Sequence, residues 1–423
     1  MRLTIRPILL FMAALALVVS ACGDGDDATT TAAAAPDTTE AGTPTSATTA
    51  TVETTTPAPT EVEKPPVVLG LITDVSGRFV SFGKDIEAAT NLAVDTVNAD
   101  GGINGSLVEV TLLDTGGEPD QAVLAYRQLA DDGAFAVSGP LSSGEAEVLF
   151  AQAPAVAVPI ITGTANKEGI TDLGEGWAFR NTATNTALYT EAMPQWAAAY
   201  GVETAVLVFD EEEPVTAAAA MFAIPGVAQN VGIEIVNADA PITFTRGQTD
   251  FSTTVQRIKD TEADGLIIMS APAEAGLIAG ELARQSETRP VLGHPAQGGN
   301  TFFEQGGDAI NNWVLPSIFN PASENALTQE YLTGIAEADT EPPTVPEAAN
   351  YYDNILILAD VLRAAGIDGN SSAEDARTAV QEGMLALCGF QGAAGEICFL
   401  PNGDAEKTVY VNVVIAGQLQ PLQ

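Results

Sequence analysis

Short apolar runs alternate with stretches of helical periodicity along most of the chain after residue 66. The run Val-Val-Leu-Gly-Leu-Ile at 67–72 is typical of a buried strand. Apolar residues then recur every three or four positions from Ile86 to Val97, which predicts a helix, and Asn-Ala-Asp-Gly-Gly at 98–102 favours its end. A second helix is predicted at 120–131. The other predicted strands are 107–113, 134–138, 160–161, 205–209, 233–236 and 265–269.

This alternation of strands and helices predicts the class of fold. Strands separated by helices form parallel sheets with helices on both faces. The chain has more such units than one compact sheet holds, so we expect an α/β protein with two doubly wound lobes. Residues 390–415 depart from the alternation and predict antiparallel hairpins.

The first 22 residues have the features of an export signal. Arg2 and Arg6 precede an apolar run of about 12 residues, which is typical of a signal peptide and too short to span a membrane. Val-Ser-Ala-Cys at 19–22 resembles a bacterial lipobox. The resemblance implies a signal peptide at 1–21 and a diacylglycerol on Cys22, which would anchor the protein outside the cytoplasm on the bacterial cell membrane. An ordinary cleaved signal followed by a chance cysteine is the alternative.

Residues 22–66 are rich in Thr, Ala and Pro and contain no aromatic side chain. Such a segment cannot bury enough apolar surface to offset the entropy of ordering it. The composition therefore predicts a disordered tether between the membrane and the lobes.

Net charge, cysteine content and histidine content bear on nucleic-acid binding, disulfide formation and metal binding, respectively. The formal net charge is −40, so binding to nucleic acid is not expected. Apart from Cys22 the cysteines are Cys388 and Cys398, separated by a predicted turn at 392–395. In an oxidising compartment we expect a disulfide between them, and two buried thiols are the alternative. His294 is the only histidine, so we expect no metal site.

Motifs in a characteristic order carry a resemblance to a known family. They resemble those of the leucine/isoleucine/valine-type solute-binding proteins, which are type I periplasmic binding proteins of ABC importers, and the similarity spans nearly all of 67–422. The resemblance implies a small-molecule ligand, a permease partner and a monomer. The motifs are 69–77, 82–83, 97–105, 114 with 119–122, 138–143, 162–166, 250–252, and 390–395 with 399–404.

The resemblance also implies how the chain is divided. One lobe would comprise 67–182 and 318–389, and the other 183–317 and 390–423. Three crossings would join the lobes, near 180–183, 315–320 and 389–391. Ligand would bind in the cleft at the carboxyl ends of the strands, and the lobes would close on it by a hinge motion.

The resemblance places most candidate ligand contacts in the first lobe. Ser142 and Ser143 follow a strand and a Gly-Pro turn, where hydroxyl and backbone N–H groups suit a carboxylate or a carbonyl oxygen. Thr164, Ala165 and Asn166 form the second ligand loop, and Ala165 would act through its backbone. Phe82 would contact the ligand side chain. The alternatives are simple helix caps for the polar residues and lobe core for Phe82.

The second lobe departs from the pattern of amino-acid binders. Pro214 stands where a tyrosine is usual, Ser270-Ala271-Pro272 lacks an aromatic residue, and an acidic partner for an ammonium group is missing near His294. An unpaired ammonium group would be costly to bury, which argues against an α-amino acid ligand. Asp210 or Glu211 could substitute if their loop folds inward.

These observations leave three candidate functions. The first is a lipoprotein that delivers an amino acid, an amide or a small carboxylate to an ABC importer. The second is a sensor of the same fold, and the third is a surface lipoprotein whose cleft binds nothing. We expect no enzymatic activity and no cofactor, because the chain has neither a Gly-x-Ser-x-Gly elbow nor a Walker loop.

Overall fold

The computed structural model of the protein describes residues 64–338 and 346–422. The predicted signal peptide, the predicted lipid site Cys22 and nearly all of the predicted tether lie outside these residues. Within the described part of the chain, no helix combines the length and the apolar character needed to cross a membrane.

The strands form one sheet in each of two lobes and a small third sheet. The first lobe has a parallel sheet in the order β2-β1-β3-β4-β5, and the second has the order β16-β15-β11-β10-β9-β6-β7 with β8 beside β6. The third sheet has the order β12-β13-β14. The strands are β1 (Val67–Thr73), β2 (Val108–Asp114), β3 (Val137–Ser138), β4 (Ile160–Thr162), β5 (Ala178–Arg180), β6 (Thr204–Asp210), β7 (Glu234–Ile235), β8 (Ile242–Phe244), β9 (Gly265–Met269), β10 (Val291–Leu292), β11 (Trp313–Ser317), β12 (Cys388–Gly392), β13 (Gly395–Phe399), β14 (Ala405–Glu406), β15 (Tyr410–Ile415) and β16 (Gln418–Pro421).

Helices separate most of the parallel strands, which confirms the predicted α/β fold class. The α-helices are α1 (Val80–Ala99), α2 (Pro119–Asp131), α3 (Ser143–Phe150), α4 (Ala153–Val156), α5 (Asn185–Tyr200), α6 (Pro214–Ala218), α7 (Ile224–Val231), α8 (Ser252–Lys259), α9 (Pro272–Arg284), α10 (Asn300–Gly306), α11 (Ala326–Glu337), α12 (Ala348–Ala364) and α13 (Ala373–Ala386). A π-helical turn lies at Ala219–Ala223, and 3-10 turns lie at Gly77–Phe79, Thr171–Gly174, Pro295–Gly298 and Gly307–Ile310.

The central strand β1 shows why these residues form a buried parallel sheet. Leu69, Leu71 and Ile72 are at most 1% exposed, so both faces of the strand are covered. A Cβ atom on Gly70 would lie 2.6 Å from a methyl group of Leu129 in α2. Glycine therefore allows α2 to pack directly on the strand, and the sheet edge that carries the loops stays fixed.

The C-terminal hairpins divide between the lobes, and here the structure differs from the sequence prediction. We expected 390–423 in the second lobe, but β12 to β14 pack on the first lobe. Ile397 and Phe399 lie in one buried cluster with Leu358 of α12, and the rings of Phe399 and Phe179 are 5.5 Å apart. Only β15 and β16 join the second-lobe sheet.

The positions at which the chain crosses between the lobes follow from this division of the hairpins. The chain passes between lobes after β5, after β11 and between β14 and β15, so the third crossing lies near 407–409 instead of 389–391. Lys407 Nζ donates to Asn181 Oδ1 at 3.1 Å, which joins the third crossing to the first. A disulfide links Cys388 of β12 to Cys398 of β13 across the antiparallel hairpin.

A buried ion pair fastens the third sheet to the first lobe. The Arg180 guanidinium is fully buried, and its Nε donates to Asp404 Oδ1 at 2.9 Å. Its Nη1 donates to the carbonyl oxygens of Lys167 at 2.6 Å and Ala165 at 3.2 Å. One side chain from β5 therefore holds both the terminal hairpin and the loop after β4.

We expect Arg180→Met to lower the free energy of unfolding of the full-length protein by about 3 kcal/mol or more, because it leaves a largely buried carboxylate without its partner. Urea unfolding followed by circular dichroism measures the change. Arg127→Met is the matched control, since Arg127 is exposed and donates to the Gln152 side chain. It should change stability by less than about 0.5 kcal/mol. Equal stability of the two variants would contradict this account of Arg180.

Candidate functional site

Side chains from both lobes enclose a cavity. Its void is about 480 Å³, including the part open to solvent. This is room for a small molecule only. The first lobe contributes Phe79, Phe82, Leu141, Ser142, Thr164, Asn166 and Glu347, and the second contributes Glu213, Thr216, Ala271, His294, Pro295 and Ala296.

The topology of the two sheets explains why these residues meet. Leu141 and Ser142 follow β3, and Thr164 and Asn166 follow β4. In the second lobe the lining residues follow β6, β9 and β10. All these strands are parallel within their sheets, so their carboxyl ends lie at one edge of each sheet. The loops at the two edges face each other across the cavity, which is where open α/β sheets bind ligands.

Four of the seven predicted ligand residues line the cavity, but three of them already have hydrogen bonds within the protein. Ser142 is the N-cap of α3, with its Oγ accepting from Glu145 N and donating to Glu145 Oε2 at 2.7 Å. Thr164 Oγ1 donates to Leu141 O at 2.5 Å and lies 2.9 Å from the Tyr351 hydroxyl. Asn166 Nδ2 donates to Ala183 O at 2.7 Å. The fourth residue, Phe82, presents an apolar wall.

The other three predicted residues do not line the cavity. Ser143 is 1% exposed and its Oγ accepts from Lys167 N at 3.3 Å. Ala165 N donates to Thr162 Oγ1 at 3.2 Å. Asp210 is fully buried at the end of β6, where Oδ1 accepts from Glu212 N. These residues support the ligand loops from behind, because each bonds to a neighbouring loop residue.

A cluster of acids beneath the cavity holds Ser142 in place. Thr115 Oγ1 lies 2.7 Å from Asp74 Oδ1 and 2.5 Å from Glu145 Oε1. A hydroxyl has one proton to donate, so one of the two carboxyl groups must donate to it. Burial and the nearby Glu145 carboxylate raise the pKa of Asp74 to about 7, so Asp74 takes up this proton as the pH falls through neutrality. Glu145 stays an acceptor for Ser142.

The sequence analysis missed the two acids that line the cavity. Glu213 is 2% exposed and lies 4.0 Å from Arg246, while Glu347 is 5% exposed and precedes α12. Glu347 Oε2 has no hydrogen-bond partner among the described residues, and burial raises the pKa of Glu347 to about 7. No local sequence motif pointed to Glu347, because its burial depends on tertiary packing.

His294 also lines the cavity, directly before the 3-10 turn Pro295–Gly298. It is 1% exposed, and burial lowers its pKa to about 3, so the ring is neutral at physiological pH. Its Nδ1 accepts from Ala296 N at 3.1 Å, which leaves the ring proton on Nε2. That N–H has no hydrogen-bond partner among the described residues and belongs to a cavity-lining ring.

The cavity is acidic and has no visible means of holding a metal. Of its described lining residues, Glu213 and Glu347 are carboxylic acids and none is Lys or Arg. The described ranges contain no group of three or more His, Cys, Asp or Glu that could hold a metal ion. The arrangement provides hydrogen bonds and negative charge for a bound molecule.

Replacing Glu347 by Gln should make stability less sensitive to pH. Glu347 titrates near pH 7 when folded and near its ordinary value of 4.5 when unfolded. Its stabilising contribution is complete below pH 4.5 and is lost as pH rises through 7. We expect ligand-free wild-type protein to lose about 2–3 kcal/mol more than Glu347→Gln between pH 5 and pH 8.

Urea unfolding at both pH values measures this difference, and contributions from Asp74 and His294 cancel because both proteins contain them. The control uses Glu337, which is exposed in α11. Glu337→Gln removes a surface carboxylate and should lose as much stability as wild type between pH 5 and pH 8. If Glu347→Gln lost as much stability as wild type between pH 5 and pH 8, Glu347 would not be buried as described.

The family model for periplasmic binding proteins matches residues 66–418. The Leu/Ile/Val-binding protein BraC3 of Rhizobium johnstonii is 27% identical over 80% of this chain and 88% of its own length. The isoleucine complex of the Streptococcus pneumoniae substrate-binding protein LivJ superposes with a TM-score of 0.72 at 24% identity, covering 84% of this chain and 98% of that one. A Rhodopseudomonas palustris solute-binding protein in complex with benzoate gives a TM-score of 0.73 at 19% identity, covering 84% and 95%. As the motifs predicted, the chain belongs to the periplasmic binding protein family, with the type I fold of ABC-transporter solute-binding proteins.

Proposed function

We propose that this protein is an extracytoplasmic lipoprotein that captures a small polar ligand between its lobes and delivers it to an ABC importer. The ligand class comprises amino acids, amides and small carboxylates. The observation that carries this proposal is the set of buried polar atoms without protein partners around one inter-lobe cavity. Among the described residues these are Glu347 Oε2, Thr216 Oγ1 and His294 Nε2.

Such atoms argue against a cleft that binds nothing. A buried polar atom without a hydrogen bond costs about 1–3 kcal/mol. Here they come from both lobes and line the same cavity, so one bound molecule could satisfy atoms on both sides at once. Binding of that molecule would favour the closed arrangement of the lobes, because only closure brings both sets of partners to it.

The remaining parts of the proposal concern how the protein reaches its partner. A lipid on Cys22 and the tether at 22–66 would keep the lobes near the membrane while leaving them free to meet permease subunits. We propose that the protein acts as a monomer.

Filling the cavity should abolish binding. Ala271 lines it at the start of α9 and is 5% exposed, so Ala271→Trp would place an indole in the space of the ligand. We expect at least a hundredfold loss of affinity for any ligand found by thermal-shift screening, because the side chain blocks both the ligand and lobe closure. Ala322→Trp is the control, since Ala322 is exposed outside the cavity.

Isothermal titration calorimetry of the full-length protein measures the affinities, and circular dichroism checks that both variants fold. If Ala271→Trp binds as tightly as Ala322→Trp, the ligand site lies elsewhere. A ligand at a hundred times its dissociation constant stabilises the native state by about 2.7 kcal/mol, which a melting curve detects.

A further inference from the structure

The cavity contains one carboxyl group that forms no ion pair with the residues that the structure describes. Glu213 has Arg246 at 4.0 Å, whereas Glu347 is in no ion pair among the described residues and its Oε2 has no hydrogen-bond partner there. Glu347 comes from the first lobe, at the start of α12, and its side chain lines the cavity. An unpaired acid in this position favours a ligand that brings a positive charge or several hydrogen-bond donors.

The backbone groups expected to hold a ligand carboxylate are already used by the protein. Ser142 N donates to Glu145 Oε2 at 3.1 Å. In the second loop, Thr164 N and Ala165 N both donate to Thr162 Oγ1, at 3.3 and 3.2 Å. A ligand carboxylate in this cavity would compete with these internal acceptors and would lie near two acids without a facing Lys or Arg side chain.

The apolar wall is compatible with a cation. Phe79 and Phe82 both line the cavity, with ring centroids 6.1 Å apart and planes at 76°. Aromatic rings attract an ammonium group through their negative faces and also pack against its alkyl part. Across the cavity, the neutral His294 Nε2–H and the Thr216 hydroxyl add hydrogen bonds without adding charge.

We propose that the cavity selects a small organic ammonium compound, that Glu347 is the counter-charge that selects it, and that a carboxylate on the ligand is not required. This inference rests on the proposed solute-binding function and specifies its ligand. Glu347 thereby replaces, from the first lobe, the acid that the second-lobe sequence lacks near His294. An ammonium group at hydrogen-bond distance also favours the ionised form of the carboxyl group, so the ion pair forms as the ligand binds.

Two sets of probes matched in shape test the ligand class. Each set contains an amino acid, an amine, an amide and a carboxylate that share a carbon skeleton but differ in charge. The branched set is leucine, 3-methylbutylamine, 4-methylpentanamide and 4-methylpentanoate. The smaller set is alanine, ethylamine, propanamide and propanoate. These are titrated into full-length wild-type protein by calorimetry, within a wider thermal-shift panel of small amines, amino acids, amides and carboxylates. We expect amines to bind about a hundredfold or more tighter than carboxylates of the same skeleton, since a buried like charge opposes the anion.

Two variants of Glu347 assign the effect to this residue. Glu347→Gln should weaken binding of the best amine by about thirtyfold or more, because it truncates one partner of a buried charge pair. Its circular dichroism spectrum should match that of wild type, which shows that the variant folds. Glu347→Asp keeps the charge and should retain the preference for amines. Glu337→Gln is the control for an exposed carboxylate, and its affinities should match wild type.

The outcomes separate this inference from the function on which it rests. Tighter binding of a carboxylate than of its matching amine would overturn the inference while supporting the solute-binding function. Amine binding that is unchanged in Glu347→Gln would also overturn it. Failure of every class in the panel to stabilise the protein would instead contradict the proposed function, and the inference would fail with it.

Discussion

The structure depends on one constraint, which is that polar groups buried between two lobes must have partners. Behind the ligand loops the chain supplies those partners itself: Arg180 bonds to the loop after β4 and to Asp404, and Glu145 caps α3 through Ser142. Inside the cavity it does not, since Glu347 and His294 retain buried atoms without hydrogen bonds to the described residues. Other buried polar atoms without partners among the described residues, such as those of Asn185 and Trp196, lie outside the cavity. What indicates a ligand site is that such atoms from both lobes meet in one cavity.

The same constraint explains how each half of the proposed site is held rigid within its own lobe. The loop residues on each side are fixed by bonds within their own lobe, as Thr164 is by Leu141 and Tyr351. Where the described chain passes between the lobes, Lys407 bonds to Asn181 and ties two crossings together. In the proposed hinge closure, the distance between two preformed surfaces would change, and the free energy of closure would depend on the molecule that links them.

Sequence reasoning predicted the family and the α/β fold because strands such as 67–72 and 265–269 are long, apolar and separated by helices of clear period. It missed the short strands β5, β8 and β10, and also β11, whose five residues include a proline. It placed the terminal hairpin in the wrong lobe, because Phe399 and Asp404 find partners near Phe179 and Arg180, more than 200 residues away. The site prediction found the first-lobe loops but missed Glu347, whose approach to the cavity depends on tertiary packing that no local motif records.

The most direct measurement is a crystal structure of the protein with the tightest-binding compound from the screen. The account predicts electron density in the cavity that contacts both lobes, with a ligand nitrogen about 3 Å from the Glu347 carboxylate and a contact to His294 or Thr216 on the opposite side. Density bound to one lobe alone, or located outside this cavity, would contradict the claim that unsatisfied groups on both lobes define the site.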